Sequence, residues 1–526
     1  MTLPCDAVEL QHIPWLPPPT STYLQHPDRV AALYMWPPTI EGAREALPDI
    51  DKRSYKRRLL AHTIRSQYEQ TGPQLLKDYP AVSGALHELQ DPGSIVVTGG
   101  QQIHLWGGPL YVAAKISTII ATARALREVL HRPVIPVFWM HTEDHDYEEI
   151  RCVRYAGRNY CSPYVPDKPF PVGTLPAEAG RRLERELPPQ VRQSFPYFSV
   201  FSEAYHTSRP LTEATRRWIT HLWGREGLLV IDPADPALKE EAHALFEAEL
   251  QHRAVSRSVQ AVHEQHGRQW QRHFIPPRPV NLFYLHPEQG RLRIEPSNGR
   301  FRVGPHSFTA AELLKQSDRL SPNVLMRPLY QQTILPAVAT ILGPAEISYW
   351  LQLKAAFQRT HTFFPQLVAR HWFAYVPASL WQWWQQQSLP HSLLFAPPDA
   401  AETQWLESRM PDLLAWHHQT LALLEAHEPA ILSAFSNSPG EYWKWKKQLL
   451  KHHKKLIQKA RKNIREHQQE SLSLLHQLLA CIGYKKDFQD RRLSLLAIGK
   501  EWPTHALSEM ISRAEPYHPA AIICPA

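Results

Sequence analysis

The residues best suited to chemistry lie together between Glu143 and Glu149. This segment holds five carboxylates and one histidine in seven consecutive positions, directly after an apolar run. Clustered carboxylates raise one another's pKa, which suits a general base, and a histidine beside acids can transfer a proton or bind a metal ion. An acidic helix start explains Glu148 and Glu149 through the helix dipole but explains the acid-His-acid triplet poorly. We therefore predict a catalytic group here: Glu143, Asp144, His145 and Asp146.

A second candidate is the glycine-rich segment Gly99–Pro109, which lies between a predicted strand and a predicted helix. Glycines in that position let backbone N–H groups approach an anion at a helix N-terminus. The segment has neither the G-K-[ST] of a P-loop nor the G-x-G-x-x-G of a dinucleotide fingerprint, and a tight turn without a ligand is the alternative. Paired glutamines are hard to explain as packing, which favours a binding site formed by Gly100, Gln101, Gln102 and His104.

Four further polar residues follow apolar runs late in the chain: Arg327, Gln331, Glu346 and Tyr349. An arginine at the end of a strand can bind a carboxylate or a phosphate through two hydrogen bonds. A buried ion pair between Arg327 and Glu346 is an equally good interpretation. Both alternatives stay open from the sequence, and we include all four residues in the predicted substrate site.

These residues need a sheet to bring them together. Ile95–Ile150 predicts a strand, a helix over 109–130 and a second strand over 134–140, which is a βαβ unit. Both candidate loops follow strands, and parallel sheets bind ligands beyond the carboxyl ends of their strands. More buried strands are predicted near 228–231, 337–342 and 367–369. The predicted class is α/β, with a Rossmann-like parallel-sheet core, two connecting insertions and a long antiparallel α-helical coiled-coil domain.

Shifts in composition divide the chain further. Residues 1–60 read as a proline-rich extended arm followed by a helix over 52–71, and 237–272 as one long helix. Two long helices are predicted over 402–433 and 439–482. The predicted segments are core 1–156, insertion 157–226, core strand 227–236, insertion 237–320, core 321–380, helical coiled-coil domain 381–485 and a tail, 486–526, that packs back on the body.

Net charge does not indicate a general nucleic-acid-binding character. The chain of 526 residues carries +8, but residues 438–470 hold ten Lys/Arg and three acids, which leaves about +1 for the remainder. We interpret the basic helix 444–465 as a solvated coiled-coil face, with a phosphate or nucleic-acid patch as the alternative. No signal pattern and no long apolar stretch are present, so we expect a cytoplasmic protein without a membrane span.

The cysteines and histidines predict no metal site. Cys5, Cys152, Cys161, Cys481 and Cys524 are odd in number and contain no C-x-x-C pair, so we expect free thiols. His141 and His145, four residues apart, could bind zinc from one helix face, but no third ligand is identified.

The motifs, taken in order, resemble the cysteine-adding enzymes of bacillithiol biosynthesis, the BshC family. The resemblance covers nearly the whole chain, and its order and spacing make it specific. The segments that carry it are T-G-G-Q-Q and G-G-P-L-Y within 98–111, P-V-F-W-M-x-T-E-D-H-D-Y-E-E-I at 136–150, G-L-L-V-I-D-P-A-D-P at 227–236, N-L-F-Y at 281–284, S-P-N-V-L-M-R-P-L-Y-Q at 321–331, L-G-P-A-E-I-S-Y-W-L-Q-L-K at 342–354 and D-F-Q-D-R at 487–491.

This resemblance implies a Rossmann-like core, two connecting insertions and a coiled coil through which the chain forms a homodimer. It implies a ligase that joins the carboxyl group of cysteine to the amine of glucosaminyl-malate, the last step of bacillithiol synthesis. ATP or ADP binding is associated with the family, with Mg²⁺ as the only metal to expect. Residues on family-pattern positions are Gln101, Gln102, Glu143, Asp144, His145, Asp146, Arg327, Gln331, Glu346 and Tyr349.

Several residues depart from the family pattern. His104 stands where the family usually has glycine, His141 where it has a small residue, and Arg151 where asparagine is common. The C-terminal N-R-Y-G-like segment of the family is Lys500-Glu501-Trp502-Pro503 in this sequence. If that segment helps to hold a nucleotide, the altered form puts nucleotide binding there in doubt.

Three functional hypotheses follow. The first is the amide-forming ligase, with His145 deprotonating the amine, the glycine segment holding an anion and Arg327 anchoring the malyl carboxylates. The second is a nucleotidyl-transferase of another pathway. The third is a non-catalytic, coiled-coil dimeric binding protein; the retained acidic cluster beside the glycine segment argues against it.

Overall fold

The structure is a computed structural model in which residues 5–270 and 272–526 are described. It contains two compact units, one of residues 5–374 and 489–523 and the other of residues 375–488 and 524–526. The described strands are β1 (Asp6–Glu9), β2 (Ile95–Gln101), β3 (Val134–Met140), β4 (Cys152–Tyr155), β5 (Arg158–Cys161), β6 (Leu229–Ile231), β7 (Leu282–His286), β8 (Gly290–Ser297), β9 (Arg300–Val303), β10 (His306–Phe308), β11 (Leu320–Pro322), β12 (Ala337–Leu342), β13 (Gln366–Ala369), β14 (Trp372–Val376) and β15 (Ala520–Pro525).

The helices outnumber the strands. In chain order they are α1 (Pro18–Gln25), α2 (Ile40–Asp51), α3 (Arg57–Thr71), α4 (Gln74–Asp78), α5 (Pro80–Glu88), α6 (Tyr111–Leu130), α7 (Tyr147–Ile150), α8 (Glu178–Glu186), α9 (Pro189–Ser194), α10 (Phe198–Thr207), α11 (Leu211–Trp223), α12 (Pro236–Glu241), α13 (His243–His252), α14 (Ala254–Trp270), α15 (Ala310–Leu314), α16 (Arg327–Ile334), α17 (Pro344–Trp350), α18 (Lys354–Arg359), α19 (Ala378–Gln385), α20 (Pro398–Glu407), α21 (Pro411–Ala434), α22 (Pro439–His467), α23 (Gln469–Ile482), α24 (Gln489–Arg492) and α25 (Ala506–Arg513). None of these helices is both long enough and apolar enough to cross a membrane.

A five-stranded parallel sheet forms the centre of the larger unit, in the order β13-β12-β2-β3-β6. Every residue of β12 and β13 is buried, as in sheets covered by helices on both faces. The predicted βαβ unit is confirmed: β2 and β3 are parallel neighbours, with Gln101 opposite Met140 at their carboxyl ends. The loops that follow these two strands therefore start side by side.

The hairpin β4–β5 spans the predicted start of the first insertion at residue 157, and it corrects one prediction. Cys152 lies opposite Cys161 in the antiparallel register, with their Cα atoms 4.0 Å apart, and the two form a disulfide. The prediction of free thiols is wrong for this pair, and also for Cys5 and Cys524, which are disulfide-bonded as well. The prediction considered only the count of the cysteines and C-x-x-C spacing. A hairpin can also bring two cysteines that are nine residues apart opposite each other, close enough to form a disulfide.

The second insertion contains an antiparallel sheet in the order β10-β9-β8-β7-β11. The single helix predicted over 237–272 is wrong. The chain instead forms α12, α13 and α14, because Ala242 leaves the helical conformation and Arg253 adopts a left-handed one (φ 54°). Residue 271, at the end of the predicted helix, lies outside the described residues.

The amino-terminal arm is also more helical than predicted. Residues 1–4 lie outside the described part, but α1 and α2 occupy much of the segment that we expected to be extended. Prolines misled the prediction, because α1 begins with Pro18 and Pro19, where the first turn of a helix tolerates proline. The next helix begins at Arg57 rather than at residue 52.

The smaller unit is helical. The helices predicted over 402–433 and 439–482 each consist of two, since α20 ends before Pro411 and Gln468 leaves the helical conformation between α22 and α23. Helices α21 and α22 contact each other, with Glu428 bound to Tyr442 (2.8 Å) and His417 to His453 (2.9 Å).

Candidate active site

A cavity of about 420 Å³ lies beyond the carboxyl ends of the central strands; we call it the substrate cavity. Four neighbouring strands each contribute residues at or just beyond their carboxyl ends. These are Gln101 and Gln102 for β2, His141 and Asp144 for β3, Gly343–Glu346 for β12, and Arg370 for β13. Other lining side chains come from α6, α16, α17 and α24: Tyr111, Lys115, Arg327, Tyr349 and Arg491. Seven of the sixteen lining residues are charged, as expected of a site for polar substrates.

Lys115 is the innermost cation of this cavity, and its side chain is 1% exposed. Its Nζ donates to the carbonyl of Gly100 (2.7 Å), to Oε1 of Gln101 (3.0 Å) and to Oε2 of Glu346 (2.6 Å). Burial lowers the pKa of Lys115, although the neighbouring Glu346 opposes that shift. Lys115 thus fixes the end of β2 against the start of α17.

Asp144 is the carboxylate that two arginines share. Its Oδ1 lies 3.6 Å from Nη1 of Arg291, and its Oδ2 lies 3.5 Å from Nη2 of Arg327. Burial acts to raise the pKa of Asp144, but Arg327 and then Arg291 outweigh it and hold the pKa below its ordinary value. Asp144 is therefore ionised at neutral pH. The sequence left open an ion pair between Arg327 and Glu346; instead Arg327 is paired with Asp144, and Glu346 with Lys115.

His145 lies beside the cavity and does not line it. Its Nδ1 lies 3.2 Å from Nη1 of Arg291. Because a guanidinium can only donate, Nδ1 is the acceptor and the proton of the neutral ring is on Nε2. Burial, followed by Arg291, lowers the pKa of His145. The lone pair that a general base needs is therefore already engaged by Arg291.

The other members of the predicted catalytic group lie outside the cavity wall. Glu143 accepts from Nζ of the fully buried Lys239 at 2.6 Å, an ion pair inside the core. Asp146 caps α7 by accepting from the backbone N–H of Glu149. Among the predicted binding residues, Gln331 is buried, and its Nε2 has no hydrogen-bond partner in the described part of the chain.

The glycine segment brings His141, not His104, to the cavity. A Cβ on Gly100 would lie 2.3 Å from Nε2 of His141, so the glycine is what allows that ring to pack there. Burial, then Arg327 and Lys115, hold the pKa of His141 well below its ordinary value, which keeps the ring neutral.

His104 is only 4% exposed and packs against Gly108 and Tyr111, with its pKa lowered by burial to about 4. Gly107 and Gly108 adopt left-handed conformations, and a Cβ on either would collide with a protein side chain. The end of this segment is therefore filled by protein atoms rather than open to a phosphate. The predicted helix begins at Tyr111, two residues later than expected.

Sequence reasoning missed Tyr111, Lys115, Arg370 and Arg491 as cavity residues. Arg370 is anchored by Asp490, with Nη1 2.6 Å from Oδ2 and both side chains buried. Arg491 is half-buried, and its Nε has no partner in the described residues. Two signals could have found them: Arg370 directly follows a predicted strand, and Arg491 ends the D-F-Q-D-R motif.

The comparison with known proteins agrees with this geometry. Residues 3–371 match a family model described as "Bacillithiol biosynthesis BshC, N-terminal Rossmann-like domain". The chain belongs to the BshC family. It is 33% identical over 361 residues to a protein of Cytophaga hutchinsonii, in an alignment that covers 66% of this chain and 65%, less than two thirds, of that relative. A protein of Shouchella clausii is 26% identical over 531 residues, which cover 95% of this chain and 96% of the relative. Both carry the name "Putative cysteine ligase BshC".

In this BshC family member, Lys500 and Trp502 of the segment Lys500–Pro503 contact other parts of the protein. The indole of Trp502 is buried and donates to Oε1 of Gln489 at 2.7 Å, and Nζ of Lys500 lies 4.7 Å from the ring centre of Tyr155. None of the four residues lines the substrate cavity. Groups that fit the phosphates of a nucleotide are instead the cavity cations Lys115, Arg327, Arg370 and Arg491.

Proposed function

We propose that this protein is a ligase that joins the carboxyl group of L-cysteine to the amine of glucosaminyl-malate, which forms bacillithiol in the last step of its synthesis. The observation that carries the proposal is the substrate cavity, where four cations face three carboxylates beyond the ends of four parallel strands. Membership of the BshC family and the names of its relatives support a cysteine ligase in bacillithiol biosynthesis. The nucleotidyl-transferase and the non-catalytic binding protein remain the competing hypotheses.

Arg327 and Arg491 are the best candidates to bind the two malyl carboxylates. Arg370 is committed to Asp490, and Lys115 to Glu346, so each of these cations already has a close anionic partner. Arg327 lies at the longer distance of 3.5 Å from Asp144, and Arg491 lines the cavity and is only half-buried. A guanidinium binds a carboxylate through two parallel hydrogen bonds, which suits a dicarboxylate such as malate.

Amide formation requires the attacking amine to lose a proton, and we assign its acceptance to His141. An amine that has attacked an acyl group becomes strongly acidic, so a neutral imidazole of low pKa is a sufficient base. His141 lines the cavity and is held neutral by burial, Arg327 and Lys115, whereas Nδ1 of His145 is engaged by Arg291. Of the three cavity carboxylates, Asp144 is paired with two arginines and Glu346 with Lys115, so Glu149 is the best candidate to bind a substrate ammonium group.

We base the activation of the cysteine carboxyl group by ATP on the resemblance to the family. ATP, when bound, would supply the energy that converts the cysteine carboxylate into an acyl phosphate or an adenylate. The four cavity cations fit its phosphates as well as they fit the malyl carboxylates. A cavity of about 420 Å³ is at the small end of the range for drug-sized ligands.

The reaction is tested by incubating pure protein with cysteine, glucosaminyl-malate and ATP, followed by mass spectrometry of the thiol product. Product formation supports the ligase. Pyrophosphate release without product favours the nucleotidyl-transferase, and substrate binding without turnover favours the binding protein. Omission of ATP, and its replacement by a non-hydrolysable analogue, separates activation from binding.

The histidine assignment has its own test. We expect His141→Gln to lower kcat by about a hundredfold, the usual contribution of a positioned base, and His145→Gln to lower it much less. The pH dependence of kcat should show no histidine titration near the ordinary pKa, because the pKa of His141 lies well below it. A loss confined to His145→Gln would contradict the assignment. Circular dichroism checks that both variants fold.

We also propose that the chain forms a homodimer through a coiled coil of α21 and α22. These helices leave large apolar side chains exposed, among them Trp416 (46%), Leu423 (61%) and Trp443 (50%). Exposed aromatic and aliphatic groups at this density are typical of an interaction surface. Light scattering should give twice the chain mass, and Leu423→Glu should shift it toward the monomer; a monomeric parent protein would contradict the proposal.

A further inference from the structure

The disulfide of the hairpin β4–β5 lies close along the chain to a wall of the substrate cavity. Glu149, in α7, lines that cavity, and Cys152 begins β4 only three positions further on. The disulfide joins Cys152 to Cys161 at the end of the hairpin that is away from its turn. It therefore ties the chain that follows Glu149 to the chain that leaves β5.

The chain that leaves β5 also returns to the cavity. The backbone N–H of Val172 donates to the carbonyl of Asp144 at 2.7 Å, and Asp144 lines the cavity. Two hydrogen bonds accompany the disulfide at the open end of the hairpin. The N–H of Ser162 donates to the carbonyl of Arg151 (3.0 Å), and Nη1 of Arg151 donates to the carbonyl of Ser162 (2.9 Å). Opening the disulfide leaves this closed path to non-covalent contacts.

The disulfide is accessible to small molecules. Burial alternates along β4, with Cys152 and Arg154 on its half-buried face and its two other residues on the buried face. Cys161 is half-buried as well. A cation on the same face, such as Arg154, favours the thiolate that leaves when a disulfide opens. The acidic neighbour Glu148 opposes this effect little, because its carboxylate is bound to Nε of Arg151 at 2.8 Å.

We propose that Cys152 and Cys161 form a thiol–disulfide exchange site through which small thiols control the position of Glu149. This inference rests on the proposed function, because the product of that reaction is itself a thiol. A small thiolate attacks one sulfur and forms a mixed disulfide, while the other cysteine leaves as a thiolate and takes up the proton. A second small thiolate then attacks the sulfur of the first. The small-molecule disulfide departs, and both cysteines end as thiols, so two thiols are oxidised for each disulfide reduced.

Glu149 keeps its place in the oxidised protein through neighbouring contacts. Nε2 of Gln102 donates to its Oε2 at 2.8 Å, and its backbone N–H donates to Oδ1 of Asp146. Helix α7 is only four residues long, so it depends on its surroundings rather than on its own hydrogen bonds. Opening the disulfide frees the end of α7 and moves Glu149 from the position in which it binds the substrate ammonium group. A rise in the thiol product therefore lowers the affinity of the enzyme for its amine substrate.

The experiment equilibrates the folded, full-length protein with glutathione, which is neither a substrate nor the product of the proposed reaction. S-methylglutathione, which lacks the thiol, is the matched control. Alkylation with N-ethylmaleimide, digestion and mass spectrometry report the state of Cys152 and Cys161 separately from the other cysteines. We expect this pair to open within hours in glutathione alone. Hydrogen–deuterium exchange over α7 should then become at least about tenfold faster, and the Kd for glucosaminyl-malate about tenfold higher.

Variants assign the response to this pair. Cys152→Ser/Cys161→Ser should show fast exchange over α7 and weak binding of glucosaminyl-malate both with and without glutathione. Cys5→Ser/Cys524→Ser is the matched control, because these two cysteines are also disulfide-bonded, and it should respond to glutathione as the parent protein does. If the first double variant does not fold, the peptide measurements on the parent protein decide alone.

Three results would overturn the proposal. In the first, glutathione opens the Cys152–Cys161 disulfide only after the protein is unfolded in urea. In the second, the disulfide opens without faster exchange over α7. In the third, the response to glutathione persists in Cys152→Ser/Cys161→Ser, which would assign it to other cysteines. If exchange over α7 responds but the oxidised protein does not bind glucosaminyl-malate, the proposed function fails and the exchange site stands.

Discussion

Replacement of Lys115 by methionine should damage both the stability of the larger unit and the binding of substrate. Methionine keeps most of the volume of the lysine stem but removes the ammonium, which serves Gly100, Gln101 and Glu346 together. Removing one partner of a buried ion pair costs about 3–5 kcal/mol. Glu346 keeps a backbone donor, the N–H of Gly343 at 2.5 Å, and 22% of its side chain reaches solvent. We therefore expect the lower end, about 3 kcal/mol.

A double-mutant cycle isolates this interaction. Lys115→Met, Glu346→Gln and the combined variant would be unfolded in urea, with the transition followed by tryptophan fluorescence. The double variant should be more stable than the sum of the single losses predicts, with a coupling free energy of about 2 kcal/mol, because the neutral amide no longer needs a cation. A coupling below about 0.5 kcal/mol would refute the reasoning.

The chain offers a matched control for the effect on binding. Lys239 and Glu143 form another buried pair at 2.6 Å, but neither residue lines the substrate cavity. Lys239→Met should therefore lose comparable stability while its KM for glucosaminyl-malate changes little. Lys115→Met should raise that KM, because Gln101 and Glu346 lose their common anchor in the cavity wall. Equal effects of the two variants on KM would show that loss of stability alone explains both.

Three further predictions concern single residues. Arg491→Ala should raise the KM for glucosaminyl-malate by about tenfold to a hundredfold, for the loss of charge-assisted hydrogen bonds worth about 1.5–3 kcal/mol, and leave the KM for cysteine nearly unchanged in steady-state assays. Asp144 has a folded-state pKa below its unfolded value, so its contribution to stability is complete above the ordinary carboxyl range and is lost as the pH falls; Asp144→Asn should flatten the acid limb of a plot of unfolding free energy against pH. Cys152→Ser should lower the unfolding free energy, measured by urea unfolding without reductant, by about 2–3 kcal/mol, the entropy of a short closed loop.

The strands that carry the site could be predicted because buried parallel strands are unbroken apolar runs. Val134–Met140 and Ala337–Leu342 have the predicted bounds, since each run ends where polar or glycine residues begin. Residues placed directly after such runs, such as Gln101 and Asp144, then meet at one edge of the sheet. For this part of the site, the apolar runs that predict the strands also predict which residues lie together at the edge of the sheet.

The remaining cavity residues could not be predicted in this way. Lys115 lies inside a helix, and nothing in its local pattern indicates that its ammonium reaches back to the end of β2. Arg370 and Arg491 are more than a hundred residues apart and meet only through folding. Glu143 and Asp144 are adjacent, but only Asp144 lines the cavity, whereas Glu143 forms an ion pair with Lys239 in the core. The sequence does not indicate that ion pair.

The acidic cluster is best understood as a junction between the core and the second insertion as well as part of the site. Asp144 and His145 both contact Arg291, which belongs to the insertion. Arg291 is 6% exposed and donates further to the hydroxyl of Ser321 (3.1 Å) and the carbonyl of Pro322 (2.9 Å), while its guanidinium stacks on Phe283. A charge buried this completely is stable only when all its partners are in place. The loop after β3 therefore places Asp144 in the cavity only when the insertion is docked, which couples the geometry of the substrate site to a segment that contributes no side chain of its own to the cavity wall.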